Sequence, residues 1–262
     1  MKPCHDQEIG LPNALRKLVR LYVADCIKPA HDSAIEIILD EAQSHYLANV
    51  MRKKVGDSIL AFNAAMGEWR AVITCVNKKS VTIQCVEQTR TTPQQADVWY
   101  LFAPLKSARL DYLIQKATEL GCSHLIPVIT HRTQVTRLKH ERLIANAIEA
   151  AEQCGLIHVP TVQAETSLKQ ALASLEAHRV LIFLDENAPC TSPLNVLSTI
   201  KHGTPCAVLI GPEGGFDEAE RTLILRHPNI APLSLGARIV RADTAAVMAL
   251  ALVQATLGDI AT

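Results

Sequence analysis

The 262-residue chain has no apolar run long enough to cross a membrane, and its longest apolar stretches are strand-sized. Its opening, MKPCHDQEIG, has no apolar core of the kind a secretory signal needs, so no leader is expected. Neither sign of charge is in excess, with 26 basic and 26 acidic residues. A nucleic-acid partner would therefore have to meet a local basic patch. The eight cysteines include no C-x-x-C pair, and Cys75, Cys85, Cys122 and Cys206 sit inside apolar runs. That pattern reads as buried thiols in a reducing cytoplasm. The ten histidines form no H-E-x-x-H and no paired ligand spacing, so no metal is expected. Phosphate cradles are missing too: there is no G-x-x-x-x-G-K-[ST], and GPEGG is not G-x-G-x-x-G.

The pattern that is present changes rhythm partway along the chain. Residues 1–17 read as an extension with little periodicity. Between about Arg20 and Arg90, five stretches (RLYVADCI, AIEIIL, SILAFNA, EWRAVITCV and VTIQCVE) are rich in β-branched residues and partly alternate. One helical patch, DEAQSHYLANVMR, interrupts them, so a small β-barrel is expected over 18–91. The polar, proline-containing QTRTTPQQAD reads as a linker, with the boundary near Thr91.

Over 92–262, strand-like and helix-like segments alternate, which predicts an α/β domain with a parallel sheet. VWYLFA precedes a helix from Ser107 to Leu120, whose Leu110, Leu113, Ile114, Ala117 and Leu120 share one face and which Gly121 ends. HLIPVIT, a helix through LIANAIEAAEQC ending at Gly155, RVLIFLD and CAVLIG follow. A helix capped by Asp217 and Glu220, the strand-like APLSLG and the apolar TAAVMALALVQATL complete the chain.

Three of the strand exits carry unusual residues: FLDENAP (183–189), LIGPEGGF (209–216) and LSLGARIVRADTA (233–245). Ligands in open α/β sheets gather outside the carboxyl ends of strands, so these exits are expected to line one pocket. Glycines there either adopt positive φ or let a ligand approach the backbone. Arg238, Arg241 and Asp243 crowd before an apolar helix, where they either pair with one another or face an anionic substrate.

LIGPEGGF together with LSLGARIVRADTAAVMALALVQ resembles the C-terminal signature of the SPOUT methyltransferases. KSARLDYLIQKATELGCSHLIPVITHRTQV and EAAEQCGLIHVPTV are similar to blocks of the RsmE family of 16S ribosomal RNA (uracil-N3)-methyltransferases. RLYV and HYLANVMRKKVGD are similar to that family's PUA-like RNA-binding barrel. The resemblance runs from about Leu18 to Asp259, with two departures. The family places Glu-Thr before the last helix where this chain has Asp243-Thr244, and an arginine after EQCG where it has Leu156 and Ile157.

The resemblance implies a SPOUT domain with a deep trefoil knot, a homodimer, and methylation of a uridine N3 in the 16S rRNA of the small ribosomal subunit. It implies S-adenosylmethionine as cofactor, held by Leu184, Leu209, Ile210, Gly211, Pro212, Gly214, Gly215, Leu233, Leu235, Gly236, Arg238 and Ile239. Uridine N3 must lose its imide proton during methyl transfer. A cation that stabilises the flanking carbonyls and a group that accepts the proton are therefore needed. Arg241 or Arg109 is the candidate for the first role, Asp243 or Glu213 for the second. Because N3 takes part in Watson–Crick pairing, the base must be unpaired or flipped. Arg52, Lys53 and Lys54 are then candidates for the RNA backbone clamp, and Arg20, Lys106 and Arg132 for further RNA contacts. A ribose 2′-O-methyltransferase of the same superfamily, or a non-catalytic RNA-binding assembly factor, are the alternatives to be separated from this reading.

Overall fold

The β-branched stretches of 18–91 become a five-stranded sheet whose strand Ser58–Asn63 is buried on both faces. The computed structural model of the protein describes residues 15–24, 35–135, 137–188 and 192–261. The chain divides into two compact units, Met1–Pro93 and Gln94–Thr262. In the first unit the strands are β1 (Arg20–Tyr22), β2 (Ile35–Ile38), β3 (Ser58–Asn63), β4 (Gly67–Val76) and β5 (Val81–Arg90). Their order is β1-β3-β4-β5-β2. β1 runs parallel to β3, and the other pairs are antiparallel. The remainder of RLYVADCI beyond Ala24 lies outside the described residues.

Helix α1 (Glu41–His45) starts at Asp40, which forms a capping box with Gln43, and continues as one π turn over Tyr46–Val50. Leu47 on that turn is fully buried against Leu21, Ile59, Ala61, Ile73 and Ile83. The β3–β4 connection needs a glycine: Gly67 has φ +79°, and a Cβ there would lie 2.4 Å from the Arg90 carbonyl oxygen. Next to it, Glu68 is completely buried between Arg20 (2.7 Å) and Arg90 (2.6 Å). Burial pushes the Glu68 carboxyl upward, but the hydrogen bonds and charges of the two arginines outweigh this and hold it below the usual range.

In the second unit the strands are β6 (Val98–Phe102), β7 (His124–Ile129), β8 (Thr161–Val162), β9 (Thr166–Ser167), β10 (Val180–Leu184), β11 (Cys206–Ile210) and β12 (Ile230–Leu233). Among the described residues all its strand pairings are parallel, in the order β12-β10-β11-β6-β7-β8, with β9 added to β7. The helices are α2 (Ser107–Glu119), α3 (His140–Cys154), α4 (Leu168–Ala173), α5 (Pro193–Leu197), α6 (Glu218–Leu225) and α7 (Ala242–Thr256). Gly121 and Gly155 stop α2 and α3 at φ +70° and +85°.

Strands buried on both faces read as continuous apolar runs, and here each face has its own core. Tyr100, Phe102, Ile182 and Val208 pack with Leu113 of α2 and Ala249 of α7. Leu101, Leu181, Phe183 and Leu209 pack with Leu168 of α4 and Ile224 of α6. Truncating Leu113 to alanine in such a core typically costs about 2–5 kcal/mol. Helices α4 and α5 and the two-residue strands β8 and β9 are not part of the sequence reading, although the Ser167–Gln170 capping box of α4 is readable in SLKQALA.

A buried cation closes the amino end of this sheet. Arg179, 2% exposed, pairs with Asp97 and Glu176, each at 2.6 Å. It also donates to the carbonyls of Asp97 and Cys206, and it lies 4.0 Å over the Trp99 ring. Burial would raise Asp97, but the bond and charge of Arg179, with Ser123, hold it below its ordinary value. Burial also pushes the Cys206 thiol up to about 12, and Cys122 higher still, so neither is a ready nucleophile.

Candidate functional site

Because β12, β10, β11, β6 and β7 are parallel neighbours, their carboxyl ends form one row. The register aligns Leu233 with Leu184, Phe183 with Leu209, Ile210 with Phe102, and Phe102 with Pro127. The three exits singled out in the sequence are therefore side by side, and the exits of β6 and β7 extend the row.

The 211–216 loop is held from several directions. Its turn closes through the Gly215 N–H, which donates to the Pro212 carbonyl at 2.9 Å. Asp217 and Glu220 form the expected capping box at the start of α6. From the β7 exit, Arg132 donates to the Gly214 carbonyl at 2.6 Å, and the His131 N–H donates to Glu220 at 2.8 Å. The His131 ring lies 3.2 Å from Asp217. From the β10 exit, the buried Asp185 accepts from Arg221 of α6 at 2.8 Å. HRTQV was read in the sequence for its arginine; the structure adds His131, and Gln134 on the same turn.

The glycines have different reasons for being glycine. A Cβ on Gly211 would lie 2.7 Å from the Phe216 ring, so packing within the protein excludes one. Gly215 and Gly236 have φ of +68° and +99°. Around Gly236 a Cβ would meet nothing within 4 Å, which leaves open space beside the backbone. Gly214 has neither constraint: its Cβ would touch only Arg132, at 3.5 Å.

Three of the four candidate catalytic residues come together. Arg109, at the start of α2, pairs with Glu213, and its Nε lies 4.0 Å from Asp243 Oδ2. Asp243 Oδ1 accepts from the Thr244 N–H at 2.9 Å, so this carboxylate also serves its own helix start. Arg241 caps α7 without a side-chain cap bond and is exposed. Among the described residues it makes no ion pair, so the pairing of Arg241 with Asp243 that the sequence left open is not formed. Arg238 is likewise exposed.

Several expected wall residues need correction. Leu209, Ile210 and Leu233 are at most 5% exposed, with side chains in the two cores, so only their backbone reaches the site. Leu184 and Leu235 are half-buried at the strand ends. Ile239 is 100% exposed, so within this chain it walls nothing.

A shallow cleft, with room for little more than water, lies between the exits of β6, β7 and β11, lined by Leu105, Lys106, Arg132, Gln134, Pro212 and Glu213 among others. It brings together two of the expected RNA contacts, Lys106 and Arg132, with the glycine loop. In the first unit Arg52, Lys53 and Lys54 follow the π turn, and Arg52 takes φ +52°, uncommon for a residue with a side chain. Arg20 is not available as an RNA contact. Its side chain is 9% exposed, committed to Glu68, and lies 4.1 Å over the Phe62 ring.

Comparison with known proteins agrees with this arrangement. A family model described as an RNA methyltransferase domain matches residues 92–254, and one described as an RNA methyltransferase PUA domain matches 39–85. The ribosomal RNA small subunit methyltransferase E of Rickettsia conorii is 29% identical, over 91% of this chain and 96% of its own. The protein of the same name from Synechocystis is 30% identical, over 84% and 73%. A methyltransferase from Legionella pneumophila, solved with its cofactor SAM bound, aligns with a TM-score of 0.78 at 28% identity, over 93% and 99% of the two chains. With both domain models matched in chain order and relatives aligned over most of its length, the chain belongs to the ribosomal RNA small subunit methyltransferase E family of RNA methyltransferases.

Proposed function

We propose that this chain methylates N3 of a uridine in 16S rRNA, on the small ribosomal subunit, with S-adenosylmethionine as methyl donor. Arg241 is the observation that carries the reading: an exposed cation with no ion-pair partner among the described residues, two positions before Asp243, whose carboxylate, with that of Glu213, is engaged by Arg109. The residues present suit the cofactor. Open space beside Gly236 admits a ligand to the backbone, and half-buried Leu184 and Leu235 offer it apolar contact. When bound, the cofactor supplies an electrophilic methyl group.

The chain's own residues have two tasks. Arg241 stabilises negative charge on the carbonyls flanking N3, and Asp243 or Glu213 takes the imide proton, directly or through water. The N3–methyl bond forms as the methyl–sulfur bond breaks, and that electron pair stays on sulfur. Mass spectrometry of 16S rRNA from cells lacking the gene is expected to show one N3-methyluridine missing and restored by purified protein. Loss of a ribose methyl instead, or an unchanged nucleoside profile, overturns the reading.

The family relationship supports two further parts of the proposal: a knotted path through the β12–α7 segment, and a homodimer working in the cytoplasm beside ribosomes. Val247, Met248, Ala251 and Leu252 of α7 remain half-exposed while Ala246, Ala249, Leu250 and Val253 are buried, which leaves an apolar face for a second copy. Light scattering that gives a mass near 28.6 kDa at micromolar concentration would rule the dimer out. Among the described residues no helix is long and apolar enough to cross a membrane.

A further inference from the structure

The turn that follows β7 closes on itself. The Thr130 N–H donates to the Thr133 hydroxyl at 2.9 Å, and the two hydroxyls lie 2.8 Å apart. The Thr133 N–H returns to the Thr130 carbonyl at 3.1 Å, and Thr130 is buried, so the turn stands on a fixed base. Its two middle residues both reach the segment that follows β11. Arg132 donates to the Gly214 carbonyl at 2.6 Å, and the His131 N–H donates to Glu220 Oε1 at 2.8 Å. We propose that Arg132 is a positioning residue for the methyl donor, holding the 211–216 loop in the shape that receives S-adenosylmethionine; this rests on the methyltransferase reading above.

The peptide that joins Gly214 to Gly215 shows what the arginine does. Its carbonyl accepts from Arg132 and its N–H donates to the Pro212 carbonyl at 2.9 Å, so both polar ends are tied and the orientation of the plane is set. With glycine on both sides, that plane would otherwise be the freest in the loop. The Arg132 side chain also lies along Gly214, where a Cβ would meet its Cδ at 3.5 Å and its Cβ at 3.6 Å. Glu220 secures the far end of the loop. Its Oε2 accepts from the Asp217 N–H at 3.1 Å in the capping box, and its Oε1 accepts from His131. One turn therefore grips the loop and the start of α6 together. It does so from the β7 side, across the row from the β12 exit with Gly236 and Leu235.

A grip on a carbonyl and a contact to RNA phosphate predict different losses. Arg132→Met keeps an alkyl chain over Gly214 and removes the donor, whereas Arg132→Lys keeps a charged donor. In the full chain, calorimetry is expected to show S-adenosylmethionine bound about tenfold more weakly by Arg132→Met, the lower end for a hydrogen bond from a charged group because this side chain is exposed. Arg132→Lys should recover part of that loss. In steady-state methylation of 30S subunits, KM for the cofactor should rise by the same factor, with kcat at saturating cofactor and melting temperature near wild type. Glu220→Gln leaves one oxygen for two N–H groups and should weaken cofactor binding in the same direction. The salt dependence of 30S binding should keep its slope in Arg132→Met, since no phosphate contact is lost. Wild-type cofactor affinity in folded Arg132→Met overturns the proposal. So does a salt slope reduced by about one with cofactor affinity intact, which would return Arg132 to the RNA. Failure of the wild-type protein to bind S-adenosylmethionine is a separate outcome, and it strikes the methyltransferase reading first.

Discussion

At the amino end of the seven-stranded sheet, Arg179 is 2% exposed and answered by two carboxylates, two carbonyls and an indole face. At the carboxyl end, Arg241 stands in solvent with no ion pair among the described residues. A buried cation left unanswered costs several kcal/mol, so Arg179 must be satisfied by the fold itself. An exposed cation costs the fold almost nothing and keeps its charge for whatever docks beside it. The difference separates an arginine that holds strands together from one that is held ready, and substitutions at the two sites should fail in opposite ways.

The largest effect is expected at Arg241. Arg241→Ala should lower the single-turnover methylation rate by about 10²–10³, while cofactor affinity and melting temperature stay near wild type. A variant that melts early yet methylates normally when folded would place Arg241 with the structural arginines and erase the contrast. At the other end, Arg179→Ala should destabilise the protein by about 3 kcal/mol. That is the lower end for a broken buried pair, because Asp97 and Glu176 remain nearly half exposed and keep some hydration. Urea unfolding measures it, and the folded fraction should turn over at the wild-type rate.

The same contrast governs what could be read before the structure. The longer strands and most helices were legible because their apolar periods are long and the helix stops Gly121 and Gly155 adopt the left-handed geometry that such stops need. The row of exits was legible because glycine, proline and charge do not belong at the end of a buried strand without cause. Partners were not legible. Arg20 and Arg241 look alike in a sequence, yet one meets Glu68, 48 positions away, and the other makes no ion pair among the described residues. Arg179 escaped notice for the same reason, since Asp97 lies 82 residues earlier.

Acid should sharpen the comparison next. Asp97 and Glu68 both have carboxyls held below their ordinary values by arginines, so the unfolded chain takes up protons at higher pH than the folded one. Their contribution is fully present above the usual carboxylate range and fades as pH falls through the depressed folded values. On their account the urea-unfolding free energy should decline below about pH 4, after an earlier loss below about pH 6.5, where the unfolded chain protonates His124 while burial still holds the folded imidazole neutral. Arg179→Ala should flatten part of that decline, whereas Arg241→Ala should leave its shape intact. A decline of unchanged slope in Arg179→Ala would remove Asp97 as its source.

The smallest effects distinguish glycines that the backbone requires from one that it does not. Gly236 lies at φ +99° in open space, so an added methyl clashes with nothing, and only the left-handed backbone opposes it. Gly236→Ala should cost about 1–2 kcal/mol of loop conformation, and the loop should answer by moving, since few contacts hold it. The expected reading is a cofactor affinity lowered by about tenfold with little change in melting temperature. Gly214 has no positive φ, and a Cβ there would touch only the Arg132 side chain at ordinary contact distance. Gly214→Ala should therefore stay within about 0.5 kcal/mol of wild type in stability, and its cofactor affinity becomes a direct probe of what approaches that backbone. Unchanged affinity in Gly214→Ala beside a loss in Gly236→Ala puts the donor on the β12 side of the loop. A loss at Gly214 with none at Gly236 would instead put the donor against the Gly214 side of the loop.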